Sequence, residues 1–295
     1  EDAGVRTRKA AVRDALAAWW QGHAGHLAEL QGGQRDLNAV RTEMLASFAH
    51  ALLPLNVLDR FKLAGVVATW WTDTLPDFKT LIENGFAGVI DGWVDAIADA
   101  VGDDDNVGPS FDPFTHKLVL RTMADYLQRI DDAKADIARL KGEKEAFEQS
   151  NPPDDADDEE LAAWNYAKEL DGQIKELKRD NRDALRELKK LETAASRRSA
   201  KDEQRRAFAA ATAALQPVLD RIAALEAELA PYDQIKTDLT ETRARYRELI
   251  GYFVTELKLR CGGLDAAAKQ APVLGLFVQD VQTGLDAAVR SEERR

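Results

Sequence analysis

Apolar residues recur every three or four positions along most of the chain, and no segment alternates apolar and polar residues with a period of two. The first spacing is that of one face of an α-helix, whereas alternation would indicate a half-buried strand. The first hundred residues predict five short helices, which together hold five of the six tryptophans. Asn56 or Asp59 is expected to cap the third helix, and the fourth is expected to begin at Pro76 and end at Gly85. We therefore predict an all-α fold that opens with a compact helical domain, residues 1–101.

A glycine- and aspartate-rich stretch, residues 102–116, predicts a linker. Longer helical patterns follow it, over about 117–149, 159–210 and 215–260. The last of these carries a heptad repeat from Leu215 to Leu257, with Lys236 and Arg243 as its two polar exceptions. Such a repeat is typical of helices that pack along one seam, so we predict an antiparallel coiled-coil arm, 117–260, followed by a terminal helix, 261–295. Pro217 and Pro231 are expected to begin or kink helices in the arm.

The charge balance restricts the possible partners. The net charge is −12 and charged residues make up 31% of the chain, which argues against nucleic-acid binding by the whole surface. The single cysteine, Cys261, excludes an intramolecular disulfide and favours a reducing cytoplasm. No continuous apolar run approaches the ~20 residues of a membrane span, so we expect no membrane insertion. The chain opens without Met, which leads us to expect a fragment of a longer protein.

The stretch QSNPPDDADDEE, residues 149–160, contains an Asn-Pro-Pro sequence. In enzymes that methylate exocyclic amino groups of DNA, this motif ends a buried strand, and an aromatic residue after it stacks on the flipped base. Here Asp154 takes the place of the aromatic, further carboxylates follow, and the preceding segment is a charged helix. We interpret the stretch as a turn in which Pro152 and Pro153 stop one helix and Asp157 or Asp158 caps the next.

The sequence offers one candidate metal site and one candidate nucleophile. His23, His26 and Glu29 recur at one-turn spacing, as zinc ligands on a helix can, but a distant ligand is missing from the pattern and we favour solvated histidines. Cys261 has no histidine at a spacing that suggests nucleophilic catalysis, so we interpret it as a structural thiol. The sequence therefore predicts no catalytic, cofactor-binding or metal-binding residue in this chain.

A basic stripe follows one helix at helical spacing. Two interpretations of the stripe are possible. It can contact the DNA backbone, or it can be a solvated helix face with intrahelical ion pairs, and we favour the second. The candidates for phosphate contact are Lys175, Lys178, Arg179, Arg182, Arg186 and Lys189.

Two stretches resemble a known family. Residues 12–30, VRDALAAWWQGHAGHLAEL, resemble the helix that follows the catalytic domain in the methyltransferase (M) subunits of type I restriction–modification systems. Residues 52–97 resemble the next segment in a long-tailed branch of that family. The second likeness is carried by LDRF at 58–61, AGV at 64–66, WW at 70–71, DFKTL at 77–81, GFAG at 85–88 and DGW at 91–93.

The resemblance implies a function for the chain. The family methylates adenine N6 with S-adenosylmethionine, and its motifs would lie before residue 1, so no catalytic residue is carried over. Its C-terminal region packs against the helical conserved regions of the specificity subunit and helps to hold DNA. We therefore expect a non-catalytic assembly module, with partner contacts at Tyr246, Ile250, Phe253 and Leu257. The alternative is a free-standing structural coiled coil that associates with itself, because internal and intermolecular seams are alike in sequence.

Overall fold

The computed structural model describes residues 3–102, 112–154 and 157–293, and within these ranges every regular element is a helix. The predicted all-α fold is confirmed. Most of the predicted linker, 102–116, lies outside the described residues. The α-helices are α1 (Ala3–Ala28), α2 (Leu37–Leu52), α3 (Arg60–Gly102), α4 (Lys117–Thr122), α5 (Ala124–Glu148), α6 (Asp158–Ala163), α7 (Tyr166–Asp180), α8 (Arg182–Ala195), α9 (Asp202–Gly262) and α10 (Ala266–Glu293).

The chain divides into two compact units whose borders differ from the predicted domains. Unit 1 comprises residues 1–127 and 251–295, and unit 2 comprises residues 128–250. The predicted terminal helix therefore belongs with the first helices of the chain. The borders fall within α5 and α9, where the sequence shows no break in helical pattern.

The first two helices of unit 1 pack through aromatic residues. The Trp19 ring meets Phe48 edge to face, with ring centres 5.0 Å apart. Its indole nitrogen also donates a hydrogen bond of 2.9 Å to the Ser47 hydroxyl, so the polar edge of this buried ring is satisfied. Asp36 caps α2 by accepting a hydrogen bond from the Ala39 amide.

The third helix replaces the three short helices predicted between residues 55 and 101. Asp59, rather than Asn56, caps its start by accepting a 2.9 Å hydrogen bond from the Lys62 amide. The helix continues through Pro76 instead of starting there. The predicted end at Gly85 survives as an internal break, with φ 68° and ψ −172°, a conformation essentially limited to glycine. A Cβ atom there would lie 2.8 Å from the Gln31 side chain.

Helix α10 covers α3 with a fully buried stripe. Its members Val273, Leu276, Phe277 and Val281 have no exposed surface. The Phe277 ring lies 5.3 Å from the ring of Phe78 and 6.2 Å from that of Trp93, both on α3. The end of α9 joins the same unit, where the Arg260 guanidinium donates hydrogen bonds of 2.5 and 2.9 Å to the two oxygens of Asp125.

Unit 2 has a smaller core. Leu170 and Ile174 of α7 and Leu225 of α9 form its buried cluster, against which Phe147 and Tyr166 pack with part of their surface exposed. Tyr232 of α9 donates a 2.7 Å hydrogen bond to Glu148 of α5. These contacts join α5, α7 and α9. A regular coiled coil along the whole predicted arm stays a prediction.

Two leucine-to-alanine changes in unit 1 test the role of the α10 stripe. Leu276 is 0% exposed and Leu259 is 70% exposed. We expect Leu276→Ala to lower the free energy of unfolding by about 2–5 kcal/mol through lost burial and a residual cavity. Leu259→Ala should change it by less than about 0.5 kcal/mol. Urea unfolding followed by tryptophan fluorescence measures both, since five of the six tryptophans lie in unit 1, and equal losses would contradict the packing described.

Candidate protein-interaction surface

The four predicted partner residues divide between the two units. Phe253 and Leu257 are 0% exposed and belong to unit 1, where the ring centre of Phe253 lies 4.7 Å from that of Phe114. Tyr246 and Ile250 are half-buried in unit 2. Burial within the chain removes Phe253 and Leu257 from any surface that a partner can reach in this conformation. A docking surface for a partner would therefore consist of other residues.

The two polar exceptions of the heptad repeat lie outside the inward face of α9. Lys236 and Arg243 are exposed, and the neighbouring residues Ile235 and Thr242 take the half-buried positions instead. Leu239, Phe253 and Leu257 are buried at their predicted positions. The inward face of α9 therefore departs from the predicted seam only at these two turns.

One long part of unit 2 lacks a core of its own. Residues 175–221, all of them described, contain no buried side chain, and we call them the core-poor segment. Their larger apolar side chains are only half-buried; these are Leu177, Leu185, Leu188, Leu191, Phe208, Leu215, Val218 and Leu219. Within the segment, residues 207–219 (AFAAATAALQPVL) carry no charge, and most of them are exposed. We call this part the uncharged segment.

Helix α9 is more apolar than the predicted absence of a membrane-length apolar run suggests. Among the described residues, α9 alone is long and apolar enough to cross a membrane by length and composition. Its 18-residue window has a mean hydropathy of 1.2, and only 11% of that window is buried. The uncharged segment contains exposed alanines at positions 207, 209, 210, 213 and 214.

The basic stripe lies on α7 and α8 within the core-poor segment, and most of it forms ion pairs. Lys175 pairs with Asp171 at 2.5 Å and Lys178 with Glu226 at 2.6 Å. Arg179 pairs with Glu176 and Asp180, and Arg182 lies 3.9 Å from Asp183. Two members remain without a carboxylate partner in the described part of the chain; they are Arg186 and Lys189. Exposed pairs of this kind contribute little stability, so a stronger anion can displace them.

The Asn-Pro-Pro sequence forms a turn, as interpreted from its neighbours. Asn151 has a φ of 47°, in the left-handed region that asparagine tolerates, just after α5 ends. Asp157 then caps α6 by accepting hydrogen bonds from the Glu159 and Glu160 amides. The Glu160 side chain accepts one in return from the Asp157 amide, which completes a capping box.

The histidine pair and the cysteine have structural surroundings. His23 donates a 2.7 Å hydrogen bond to the Trp19 carbonyl, and His26 lies 3.1 Å from Glu43. No grouping of three or more metal-binding side chains occurs in the described ranges. Cys261 is buried, and this burial raises the pKa of its thiol.

A cluster of charged groups in unit 1 surrounds Lys117. Its ammonium lies 2.6 Å from Asp280 and 4.0 Å from Asp77, and 4.7 Å from the centre of the Trp93 ring. The Trp93 indole donates a 3.0 Å hydrogen bond to Asp77. Burial raises the pKa of Asp77, while Lys117 and this hydrogen bond oppose the rise. Lys117 and the two aspartates line a cleft of about 550 Å³, and their pairing ties α3, α4 and α10 together.

Comparisons with known proteins add no relative to this description. No family model, no curated protein and no solved structure matches the chain.

The pH dependence of stability tests the environment of His116. Burial, with a smaller contribution from Lys117, lowers the pKa of His116 to about 4. The unfolded chain therefore binds a proton at His116 in the window between about pH 6.5 and pH 4 while the folded chain does not, so stability falls as the pH drops through that window. His116→Asn removes the titration and can still cap α4, where His116 accepts a 3.2 Å hydrogen bond from the Leu118 amide.

We expect His116→Asn to lose less thermal stability than the parent between pH 6.5 and pH 4, as measured by melting temperature. Asp77 titrates in the opposite sense because its folded pKa is raised, but it is present in both proteins and cancels in the comparison. His50→Asn, at an exposed histidine, serves as the control. A parent and variant with the same pH dependence would show that His116 is not the group responsible.

Proposed function

We propose that this chain is a non-catalytic assembly module of a type I restriction–modification adenine-N6 DNA methyltransferase subunit. It binds the specificity subunit and helps to hold DNA. The observation that carries the proposal is the core-poor segment, residues 175–221, which exposes apolar surface that the chain itself does not bury. The resemblance at residues 12–30 and 52–97 supplies the identity of the partner.

The uncharged segment is the part best suited to a helical partner. Thirty-one per cent of the chain is charged, yet residues 207–219 contain no charged side chain. Small alanine side chains let a second helix approach closely, and the absence of charge removes the desolvation cost that packing against lysine or glutamate would carry. The resemblance implies that the specificity subunit offers helical conserved regions, which is the kind of partner that such a surface can accept.

The basic stripe supports a second contact, with DNA. Arg186 and Lys189 are exposed and, within the described ranges, lack carboxylate partners. Their neighbours hold only exposed ion pairs, which phosphate groups can replace. The resemblance implies that S-adenosylmethionine and the methyl transfer belong to the catalytic domain of the parent protein.

The alternative function is a free-standing structural coiled coil. It is favoured by the same uncharged segment, because a second copy of the chain can cover that surface as well as a different protein can. The part of α9 within unit 2, residues 202–250, is long enough, at ~1.5 Å per residue, to serve as a spacer. In the assembly module the uncharged segment binds the specificity subunit, whereas in the structural coiled coil it binds a second copy of the chain.

Charging the uncharged segment tests the assembly proposal. Ala210 and Ala214 are exposed and one turn apart on α9. We expect Ala210→Glu/Ala214→Glu to weaken binding of the cognate specificity subunit at least about tenfold, because two carboxylates would be desolvated at the interface. Isothermal titration calorimetry with purified subunits gives the affinity, and analytical ultracentrifugation of the chain alone gives its self-association.

Ala223→Glu/Ala227→Glu is the matched control, since these alanines are also exposed, one turn apart and on the same helix. Both variants add the same charge and the same unfavourable pair of like charges at i and i+4. Loss of specificity-subunit binding in the first variant alone supports the assembly module. A parent chain that forms stable dimers through residues 210 and 214, and does not bind the specificity subunit, would establish the structural alternative.

The DNA contact is tested within the complex of the specificity subunit and the full methyltransferase subunit. We expect Arg186→Gln/Lys189→Gln to weaken DNA binding uniformly across sequences, because phosphate contacts carry no base information. The slope of log affinity against log salt should fall by up to about 2, near 0.9 per lost phosphate contact. Fluorescence anisotropy at several salt concentrations measures it. An unchanged salt dependence would show that these residues belong to a solvated helix face, as the alternative interpretation of the basic stripe predicts.

A further inference from the structure

A groove between α2 and the start of α3 combines an apolar floor with cationic sides. Its volume is about 550 Å³, and it lies entirely within unit 1. We call it the basic groove. Leucines and alanines make up its apolar part, which we call the floor, and Thr42, His50 and two arginines complete the lining. The lining residues are Arg41, Thr42, Leu45, Ala46, Ala49, His50, Leu53, Arg60 and Ala64.

The charge of the basic groove is opposite to that of the chain as a whole. No carboxylate lines it, although the net charge of the chain is −12. Arg41 and Arg60 are exposed, and neither has an ion-pair partner in the described part of the chain. The acidic residues nearest in sequence are engaged elsewhere, since Glu43 pairs with Arg35 at 2.5 Å and Asp59 lies 3.2 Å from Lys62.

The floor of the groove is unusually accessible for apolar surface. Leu53 is 41% exposed, and Ala46 is exposed beside the half-buried Leu45 and Ala49. Ala46 and Ala49 lie one turn apart on α2, and Leu53 follows four residues later, directly after the helix ends. Small alanine side chains between leucines make a shallow trough into which larger apolar side chains of a partner can insert. Phe61, next to Arg60, is 87% exposed, and aromatic and arginine side chains are the usual anchors of protein interfaces.

We propose that the basic groove binds an acidic amphipathic helix of a partner protein. Apolar residues at i, i+3, i+4 and i+7 would lie on the alanine–leucine floor, and flanking carboxylates would pair with Arg41 and Arg60. A nucleic-acid backbone would satisfy the arginines but would leave Leu45 and Leu53 uncovered, so a peptide matches the surface better. The inference does not depend on the function proposed above, because it concerns a different surface in the other unit.

A synthetic peptide serves as the probe. It is an 18-residue fluorescein-labelled helix with leucines at the i, i+3, i+4 and i+7 positions and glutamates beside them, titrated with the full chain in fluorescence anisotropy. We expect saturable binding that Arg41→Glu/Arg60→Glu weakens at least about tenfold, through like-charge repulsion. Lys79→Glu/Lys258→Glu changes the net charge equally at exposed lysines of unit 1 outside the groove. This control should bind within about twofold of the parent.

A substitution in the floor separates a docking groove from simple electrostatic attraction. Ala46→Arg adds a positive charge and fills the trough, at an exposed position where the fold tolerates the change. A groove that seats the leucines predicts weaker binding by Ala46→Arg. Attraction by charge alone predicts tighter binding and would overturn the proposal. Circular dichroism of each variant confirms that the helices are intact.

Three controls complete the test. A peptide of the same composition with scrambled leucine positions should bind at least about tenfold more weakly, because it has no apolar face. Hydrogen exchange should show protection of residues 41–53 in the complex with the ordered peptide. Absence of peptide binding would overturn the proposal. Binding of an 18-base-pair DNA duplex instead of the peptide would also overturn it, if Arg41→Glu/Arg60→Glu abolished that binding.

Discussion

Unit 1 depends on the burial of α10 against α3. Fourteen buried residues are spread along α3, so this helix must be covered on more than one side. Helix α2 and the short turn at Gln31–Gly33 cover part of it, and the stripe around Phe277 covers the face that carries Phe78 and Trp93. Because α10 lies at the far end of the chain, unit 1 closes only when both ends of the sequence have come together. The ion pairs of Lys117 link α3, α4 and α10, and the guanidinium of Arg260 links the end of α9 to Asp125 of α5.

The helices themselves could be predicted, but their partners could not. Features set by the local sequence agree with the structure. Asp59 and Asp157 cap helices, Gly85 interrupts one, and the all-α class follows from the periodicity of apolar residues. Pro76 misled because an exposed proline leaves a single carbonyl without its helical donor, and solvent can supply that bond. The place of α10 was missed for a different reason. An apolar stripe specifies that a helix must be covered and does not specify by which other helix, so 261–295 was expected as a separate element.

The register of α9 and the two candidate surfaces show the same limit at the level of single residues. A heptad written from Tyr232 onward selects Lys236, whereas in the structure the neighbouring Ile235 takes the half-buried position. The uncharged segment was visible as a run without charge, yet its exposure follows from the helices around it. Arg41 and Arg60 lie on different helices, so no pattern in either helix joins them into one groove.

Unit 2 raises the question of what stabilises a helix that exposes uncharged alanine over residues 207–219. Alanine has the highest helix propensity, so local preference maintains the helix without tertiary burial. Propensity does not protect the surface from association, because no charge opposes contact with other apolar groups. The surrounding residues do so instead, since Arg205, Arg206, Asp220 and Arg221 flank the segment. Charges at both ends and none between favour a contact of limited length, which is the condition for a specific helical partner rather than for open-ended aggregation.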